Sequence, residues 1–588
     1  MRIVRQLFDF YDRPHERTQL LALLLVVLVG SVLEIVGIGV FLPYVKIVSD
    51  PNLALENARA GEILRRLGLV EPGSIILASS VALVSLFAFK SAYLAVQWRL
   101  VYRFSYRKMA QVSAEIFGGY LRSPLAFHFK RNSAELTQTL STEVKLAFGD
   151  VLTPSILLSA EIIVAIGIVA VLILVNPAAA LGGLVVVVLL GWTIARLTRR
   201  RLHVLGQVRA DEQQQKFRYL QQGLGGIKEI RVLRREDYFA RGFRRSEKRY
   251  VHALQGSLLL NLYPRLAMEL VAVFLLTGTI ALLLLSGRGL EDALPTLAVF
   301  GAAVIRLVPA AGKITSGVNR IRFYTPSVVI VHDEWLRAKR ADKEFRELNA
   351  GPPIIFRKEI RFEEVHYEYP DAPHPAIQSL SLSIPLGQSV GFVGPSAAGK
   401  TTLLHLLLGF LEPTSGRILV DGADIRQNIG SWQRQIGYIP QDLYLLDDSI
   451  RRNVAFGIPD DEIDEEAVWK ALEAAELVAS IRDLDTGLDA LTGERGARLS
   501  GGQAQRLAIA RALYHDPQVL ILDEATSSLD YETEARISTT LQSLAGTKTL
   551  VIVSHRHQTV RHCDTIHVLQ NGRLVSSGAF SEVFSTAS

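Results

Sequence analysis

The chain has 588 residues, of which 49% are hydrophobic and 21% charged, with a formal net charge of +6. That apolar content excludes intrinsic disorder, and the composition excludes a collagen-like repeat. A single cysteine, Cys563, excludes an internal disulfide framework and a cysteine-only metal cluster.

The averages hide a division between the two halves. Residues 20–33 carry no charge, and beyond Glu34 the apolar run continues to Val45. This is long enough for a spanning helix and too long for a secretory signal. A second run covers 72–98 and is interrupted by Lys90. Residues 151–195 contain one ionisable group, Glu161, with Asn176-Pro177 near the middle as a turn. Two spans, 151–175 and 177–197, fit there. A fifth span reads over 258–286 and a sixth over 294–314, the latter broken by Arg306. Six helices are expected in a membrane domain over 1–330.

The charges set the topology. Residues 98–149 hold eight Lys/Arg against three Asp/Glu, and residues 199–256 hold fifteen against six. Loop 46–71 has four of each. The excess places both long loops, both termini and the C-terminal half in the cytoplasm. The basic balance is therefore a topology signal and an attraction to membrane lipid, and it excludes a nucleic-acid partner. Breaks at Arg122-Ser-Pro-Leu125 and Gly223-Leu-Gly-Gly226 suggest short cross-helices in the two loops. Leu53, Ile63, Leu64 and Leu67 of the external loop suggest a short surface helix beside a lipid tail.

From 331 the composition changes. A charged stretch ends at Asn349-Ala-Gly-Pro-Pro353, so 331–353 reads as a linker, and 354–588 alternates strand-like and helical segments. Ser389-Val-Gly-Phe-Val393 is a short buried strand. Gly394-Pro-Ser-Ala-Ala-Gly-Lys-Thr401 follows, then a helical run from Thr402 to Gly409. This is a phosphate-binding loop in its required strand–loop–helix context, where backbone N–H groups surround phosphate oxygens. Gly394, Ser396, Gly399, Lys400, Thr401 and Thr402 are its candidate nucleotide contacts. Lys400 reaches the β/γ-phosphates, and the Thr401 hydroxyl ligates Mg²⁺. Ala397 is expected to hold a right-handed turn. Val519-Leu-Ile-Leu-Asp523 is an apolar strand that delivers Asp523 to the metal and sets Glu524 to activate water. Ser500, Gly501, Gly502 and Gln503 open another helix, a second phosphate-binding end. One nucleotide does not need two such ends from one fold, so this one is expected to serve the nucleotide held by a second chain.

The set Gly394–Thr401, Leu499–Gln503, Asp523-Glu524, Ser527–Asp530 and Ser554-His555 resembles an ATP-binding-cassette domain, in the order that family shows. The resemblance covers roughly 354–588. It implies that Tyr369 stacks on adenine and that Gln441 touches Mg²⁺ and couples to the membrane part. It implies that Asp530 links two sites across a dimer and that His555 contacts the γ-phosphate. Gly493-Glu-Arg-Gly496 resembles a short exporter motif that meets the membrane-domain loops. Ala397 departs from the glycine of many cassettes. The resulting fold class is a six-helix α-helical transmembrane domain of exporter type followed by an α/β P-loop cassette. With one phosphate loop and one signature per chain, a homodimer holding two ATP and Mg²⁺ is expected.

Ionisable residues inside spans mark substrate paths. They are Glu34, Lys90, Glu161, Arg265, Glu269 and Arg306. Arg265 and Arg306 from two chains suit a phosphate or pyrophosphate. Val32–Ile35, Ser159–Ile162, Pro264–Leu266 and Arg306–Pro309 resemble segments of PglK-type lipid-linked oligosaccharide flippases. That resemblance implies a polyprenyl-pyrophosphate glycan turned from the inner to the outer leaflet of the plasma membrane (in bacteria, the inner membrane). Export of a drug, a lipid A-like lipid or a peptide, and an ATP-gated channel or regulator, are the alternatives.

Overall fold

The computed structural model describes the chain except residues 1, 52–54, 56–61, 63, 67, 69, 176, 286–289, 371, 525–538, 540–541 and 585–588; across 290–308 the backbone alone is described. Two compact units divide it, one of residues 1–121 and 131–340, the other of 122–130 and 341–588.

The first unit is helical. Helix α1 (Arg2–Asp9) precedes α2 (Pro14–Gly39) and α3 (Phe41–Ser49), and α4 runs over Pro72–Arg122. Helix α5 (Leu125–Lys130) belongs to the second unit. A helical run over 133–175, α6, contains two π-helical stretches, Thr139–Glu143 and Ala147–Leu152. Then follow α7 (Pro177–Gly225), α8 (Ile227–Val232), α9 (Glu236–Leu285) and α10 (Leu290–Glu347). Three described stretches are long and apolar enough to cross a membrane: Pro14–Gly37, Pro72–Arg122 and Ser133–Val171. At about 1.5 Å per residue, helices of roughly 50 residues are about 75 Å long, against a hydrocarbon core of about 30 Å. Most of each such helix must therefore stand outside the bilayer. Of the external-loop residues, Leu53, Ile63 and Leu67 lie outside the described set.

Buried charge staples these helices together. Lys108 of α4 bonds both carboxylate oxygens of Glu16 at 2.8 Å. Arg209 of α7 meets Glu143 at 3.2 Å and donates to Ser327 Oγ at 2.8 Å, with both ion-pair partners at 1% exposure or less. Removing one partner of such a pair leaves an uncompensated buried charge, at a cost of about 3–5 kcal/mol.

The stretch 331–347, anticipated as linker, is the end of α10. The reason is a second pattern under the charges. Trp335, Ala338 and Ala341 are buried on one face, and Asp342–Arg346 and Lys343–Glu347 pair at i,i+4 on the outside.

The second unit holds two sheets. Strands β1 (Glu359–Tyr367), β2 (Ile377–Pro385), β4 (Ser415–Val420) and β5 (Ala423–Asp424) form an antiparallel sheet in the order β2-β1-β4-β5. Strands β3 (Ser389–Val393), β6 (Ile436–Ile439), β7 (Val519–Asp523), β8 (Thr549–Val553), β9 (Thr565–Gln570) and β10 (Arg573–Gly578) form the other, ordered β10-β9-β3-β8-β7-β6. All its pairings are parallel except the edge pair β9–β10. Every residue of β3, β7 and β8 is buried, as helix-covered parallel strands require. Leu520 and Leu522 face one core with Leu507, and Val519 and Ile521 face the other with Leu403. Helix α11 (Lys400–Leu407) follows β3, and α12 (Gly501–Leu513) precedes β7.

Candidate active site

The site grows from the C-terminal ends of the parallel strands. Past Val393 the chain turns at Gly394, φ 153°, where a Cβ would lie 2.1 Å from the Leu569 carbonyl oxygen. Gly399 has φ 101°, and a Cβ there would lie 2.5 Å from the Ala376 oxygen. Neither position admits a side chain. Ala397 has φ 64°, so the right-handed turn expected of it is not the one it makes. The next residue is fixed on both sides, its N–H donating to the Pro395 carbonyl at 3.2 Å and its carbonyl accepting from Gly572 N–H at 3.0 Å.

Lys400 is 5% exposed, and its ammonium donates to the carbonyls of Gly394 and Pro395, each at 2.9 Å. Burial lowers its pKa, while the Glu524 and Asp523 charges oppose that shift. Thr401 is exposed, and the Thr402 hydroxyl is 3.2 Å from that of Tyr369. Tyr369 meets Tyr367 edge to face at 4.9 Å, which leaves it half-buried beside the start of α11.

Asp523 ends β7 opposite Val553. Burial first, then the Glu524 charge, push its pKa up to about 6, and Lys400 opposes them. Its Oδ1 is buried without a hydrogen-bond partner. The unpartnered Asp523 oxygen, the Thr401 hydroxyl and the Gln441 amide oxygen are hard oxygen donors of the kind that would suit Mg²⁺. Glu524 has φ 49° and is held by its own N–H on the Val553 carbonyl at 2.9 Å. Its Oε2 accepts from Gln441 Nε2 at 2.8 Å, and its Oε1 lies 2.8 Å from His555 Nε2. Two residues far apart in sequence, Gln441 and His555, thus meet on the Glu524 carboxylate.

Ser500 caps α12 reciprocally. Its hydroxyl accepts from Gln503 N at 3.2 Å, and its own N–H donates to Gln503 Oε1 at 2.9 Å. A Cβ on Gly501 would meet nothing within 4 Å, so the helix end with Gly502 opens outward. Among the described residues, no hydrogen bond joins this end to the phosphate loop of the same chain. Asp530 lies outside the described residues, as does the Arg306 side chain. Arg265 bonds Glu269 at 3.2 Å on α9.

Sequence reasoning missed Arg511. It donates to Asn453 O at 2.8 Å, to Asn453 Oδ1 at 2.9 Å and to Tyr444 O at 2.7 Å, tying α12 to the segment after Gln441. Burial pushes it down to about 10. An arginine on an amphipathic helix carries no local signal of such a role.

Residues 377–527 match the family model for ABC transporters, and residues 20–285 match that for the ABC transporter transmembrane region. The chain is an ABC half-transporter. It is 29% identical over 490 residues to an ATP-dependent lipid A-core flippase of Ralstonia nicotianae, covering 82% of this chain and 80% of that one. Over 261 residues it is 40% identical to the ABC multidrug transporter atrD of Emericella nidulans, 42% of this chain and 19% of that one. The half-transporter also shares the fold of a solved bacterial Atm1-family ABC exporter, with TM-score 0.79 and 24% identity over 98% of this chain and 97% of the other. It is an ATP-driven exporter and an integral membrane protein.

Proposed function

We propose that two copies of this half-transporter clamp two ATP and use their hydrolysis to turn a lipid-linked glycan, borne on a polyprenyl pyrophosphate, from the inner to the outer leaflet of the plasma membrane. In each site the loop amides of Gly394, Ser396 and Gly399 and the Lys400 ammonium hold phosphates, and Tyr369 stacks on the base. Thr401, Gln441 and Asp523 hold Mg²⁺, which supplies charge neutralisation at the phosphates. Glu524 orients and deprotonates the attacking water, with His555 on the γ-phosphate. Ser500–Gln503 of the second copy close the site, and Asp530 links the two.

One observation carries the cargo reading. Arg265 and Glu269 sit on α9 with their side chains 71% and 51% exposed in the single chain. Charged groups within a spanning segment avoid lipid and face protein or a water-filled cavity. A cavity lined by Arg265 from two copies suits a phosphorylated head on an apolar tail.

The test is reconstitution in vesicles with a fluorescent polyprenyl-pyrophosphate glycan. ATP-dependent loss of inner-leaflet label is expected, with Arg265→Ala slowing transport severalfold and leaving basal ATP hydrolysis unchanged. The Ralstonia relative favours a second reading, a lipid A-type cargo. Transport of lipid A without transport of the polyprenyl glycan would replace the first reading with the second.

A further inference from the structure

Helix α4 carries a regular surface that the nucleotide chemistry does not use. Trp98, Tyr102 and Tyr106 recur every four residues, and each is followed by an arginine: Arg99, Arg103 and Arg107. All six are exposed. The rings form a ladder, with centroids 5.8 Å apart from Trp98 to Tyr102 and 6.2 Å from Tyr102 to Tyr106. Gln97, Val101, Ser105 and Lys108 are buried on the same helix. The aromatic row therefore borders the packed face, and the arginine row lies about 100° further round.

Two observations separate this surface from an ordinary membrane boundary. The first is charge. No Asp or Glu occurs over 72–114. Among the described residues, none of the three arginines has an ion-pair or hydrogen-bond partner, whereas Lys108 beside them is neutralised by Glu16. The second is depth. Residues 72–97 span about 39 Å, more than the hydrocarbon core of about 30 Å, so Trp98 stands at the boundary. Each interfacial layer is about 5–8 Å thick, and an aromatic belt occupies that layer. Trp98 to Tyr106 covers about 12 Å along the axis. Tyr106 thus stands beyond the belt, where anchoring in lipid gives an aromatic ring no purpose.

We propose that this ladder docks the phosphorylated sugar head of a lipid in the cytoplasmic leaflet before transport. Arginines about 6 Å apart along the axis grip phosphate oxygens with charge-assisted hydrogen bonds. The rings beside them offer flat apolar faces to the sugars, whose head reaches from the membrane along the helix. The inference rests on the reading of the cargo as a lipid-borne glycan and names where that head is first held.

The test uses the full-length homodimer in nanodiscs, reading the lipid concentration that half-maximally stimulates ATP hydrolysis. The probes are a polyprenyl diphosphate bearing an oligosaccharide, the sugar-free polyprenyl diphosphate, phosphatidylglycerol and free inorganic diphosphate. Arg99→Gln with Arg103→Gln should raise the half-saturating concentration about tenfold for both polyprenyl diphosphates, with basal hydrolysis unchanged, roughly the loss of one good charge-assisted contact. Tyr102→Leu with Tyr106→Leu should raise it for the glycan-bearing lipid alone. The paired lysine variants, Arg99→Lys with Arg103→Lys, should recover part of the response. Unchanged half-saturation in both double variants overturns the inference while leaving the cargo reading intact. So does an equal shift with phosphatidylglycerol, which would mean surface attraction only, or stimulation by free diphosphate equal to that by the lipid, which would mean an anion site with no use for a lipid. Loss of the dimer in the glutamine variant would make the ladder a contact between copies and also overturn it. A wild-type protein unresponsive to every glycolipid overturns the cargo reading and this inference with it.

Discussion

Ala397 makes the left-handed turn of the phosphate loop at φ 64°. A Cβ in that region costs about 1–2 kcal/mol, and a β-branched side chain costs more. Ala397→Gly should keep ATP hydrolysis within about twofold. Ala397→Val should weaken ATP binding about tenfold, by the 1.4 kcal/mol-per-decade conversion, as read by nucleotide-dependent thermal shift. Glu524 holds a second left-handed turn, φ 49°, and receives both Gln441 and His555 on its two oxygens. Non-glycine residues held in this region cluster at functional sites. Glu524→Gln preserves shape and removes the base. It should lower hydrolysis by about a hundredfold or more while ATP binding persists, with nucleotide trapped in a closed dimer. Normal turnover in that variant would remove Glu524 from the chemistry.

At the scale of elements, β3 and β9 pair beneath the phosphate loop, with Phe392 opposite His567. The His567 ring packs on Phe392 at 5.2 Å and shares a hydrogen bond with Ser577 Oγ at 2.9 Å, while its Nε2 is buried without a partner. Burial pushes its pKa from 6.5 down to about 4. The unfolded chain takes up the proton near pH 6.5 and the folded one only near pH 4. The stabilisation is therefore complete above pH 6.5 and is lost between 6.5 and 4, a change of about 3 kcal/mol. His567→Phe removes the titrating group and should flatten this part of the acid limb. Thermal unfolding of the full chain in detergent at pH 7 and pH 5 measures it: the wild type should lose more Tm on acidification than the variant.

At the scale of the whole molecule, the turn between α7 and α9 is apolar and open. Leu224, Val232, Leu233 and Tyr238 are 73%, 83%, 64% and 61% exposed in the single chain. Such a patch marks an interaction surface, and we propose that it carries the signal of cassette closure. Val232→Glu with Leu233→Glu should leave the chain folded, because neither side chain packs inside it. Cargo-stimulated hydrolysis and transport should fall at least about tenfold, the cost of burying charge in an apolar contact. Stimulation equal to wild type would show that this tip carries no signal.

The phosphate loop, the β7 strand with its carboxylates and the capped helix at Ser500 were all legible in the sequence, because each depends on residues a few positions apart. The long uncharged runs were legible for the same reason, since a bilayer reads one helix at a time. Tertiary structure decided the rest. Ala397 takes its positive φ in a loop whose next carbonyl, that of Ala398, is held by the distant Gly572 N–H at 3.0 Å. The meeting of Gln441, Glu524 and His555 depends on strand order, and Arg511 gained its partners only when α12 packed on the segment after Gln441. The helical run through 331–347 depends on a buried face that its charges concealed. Local patterns state what each segment can form, and the packing of distant segments determines which side chains come to share one site.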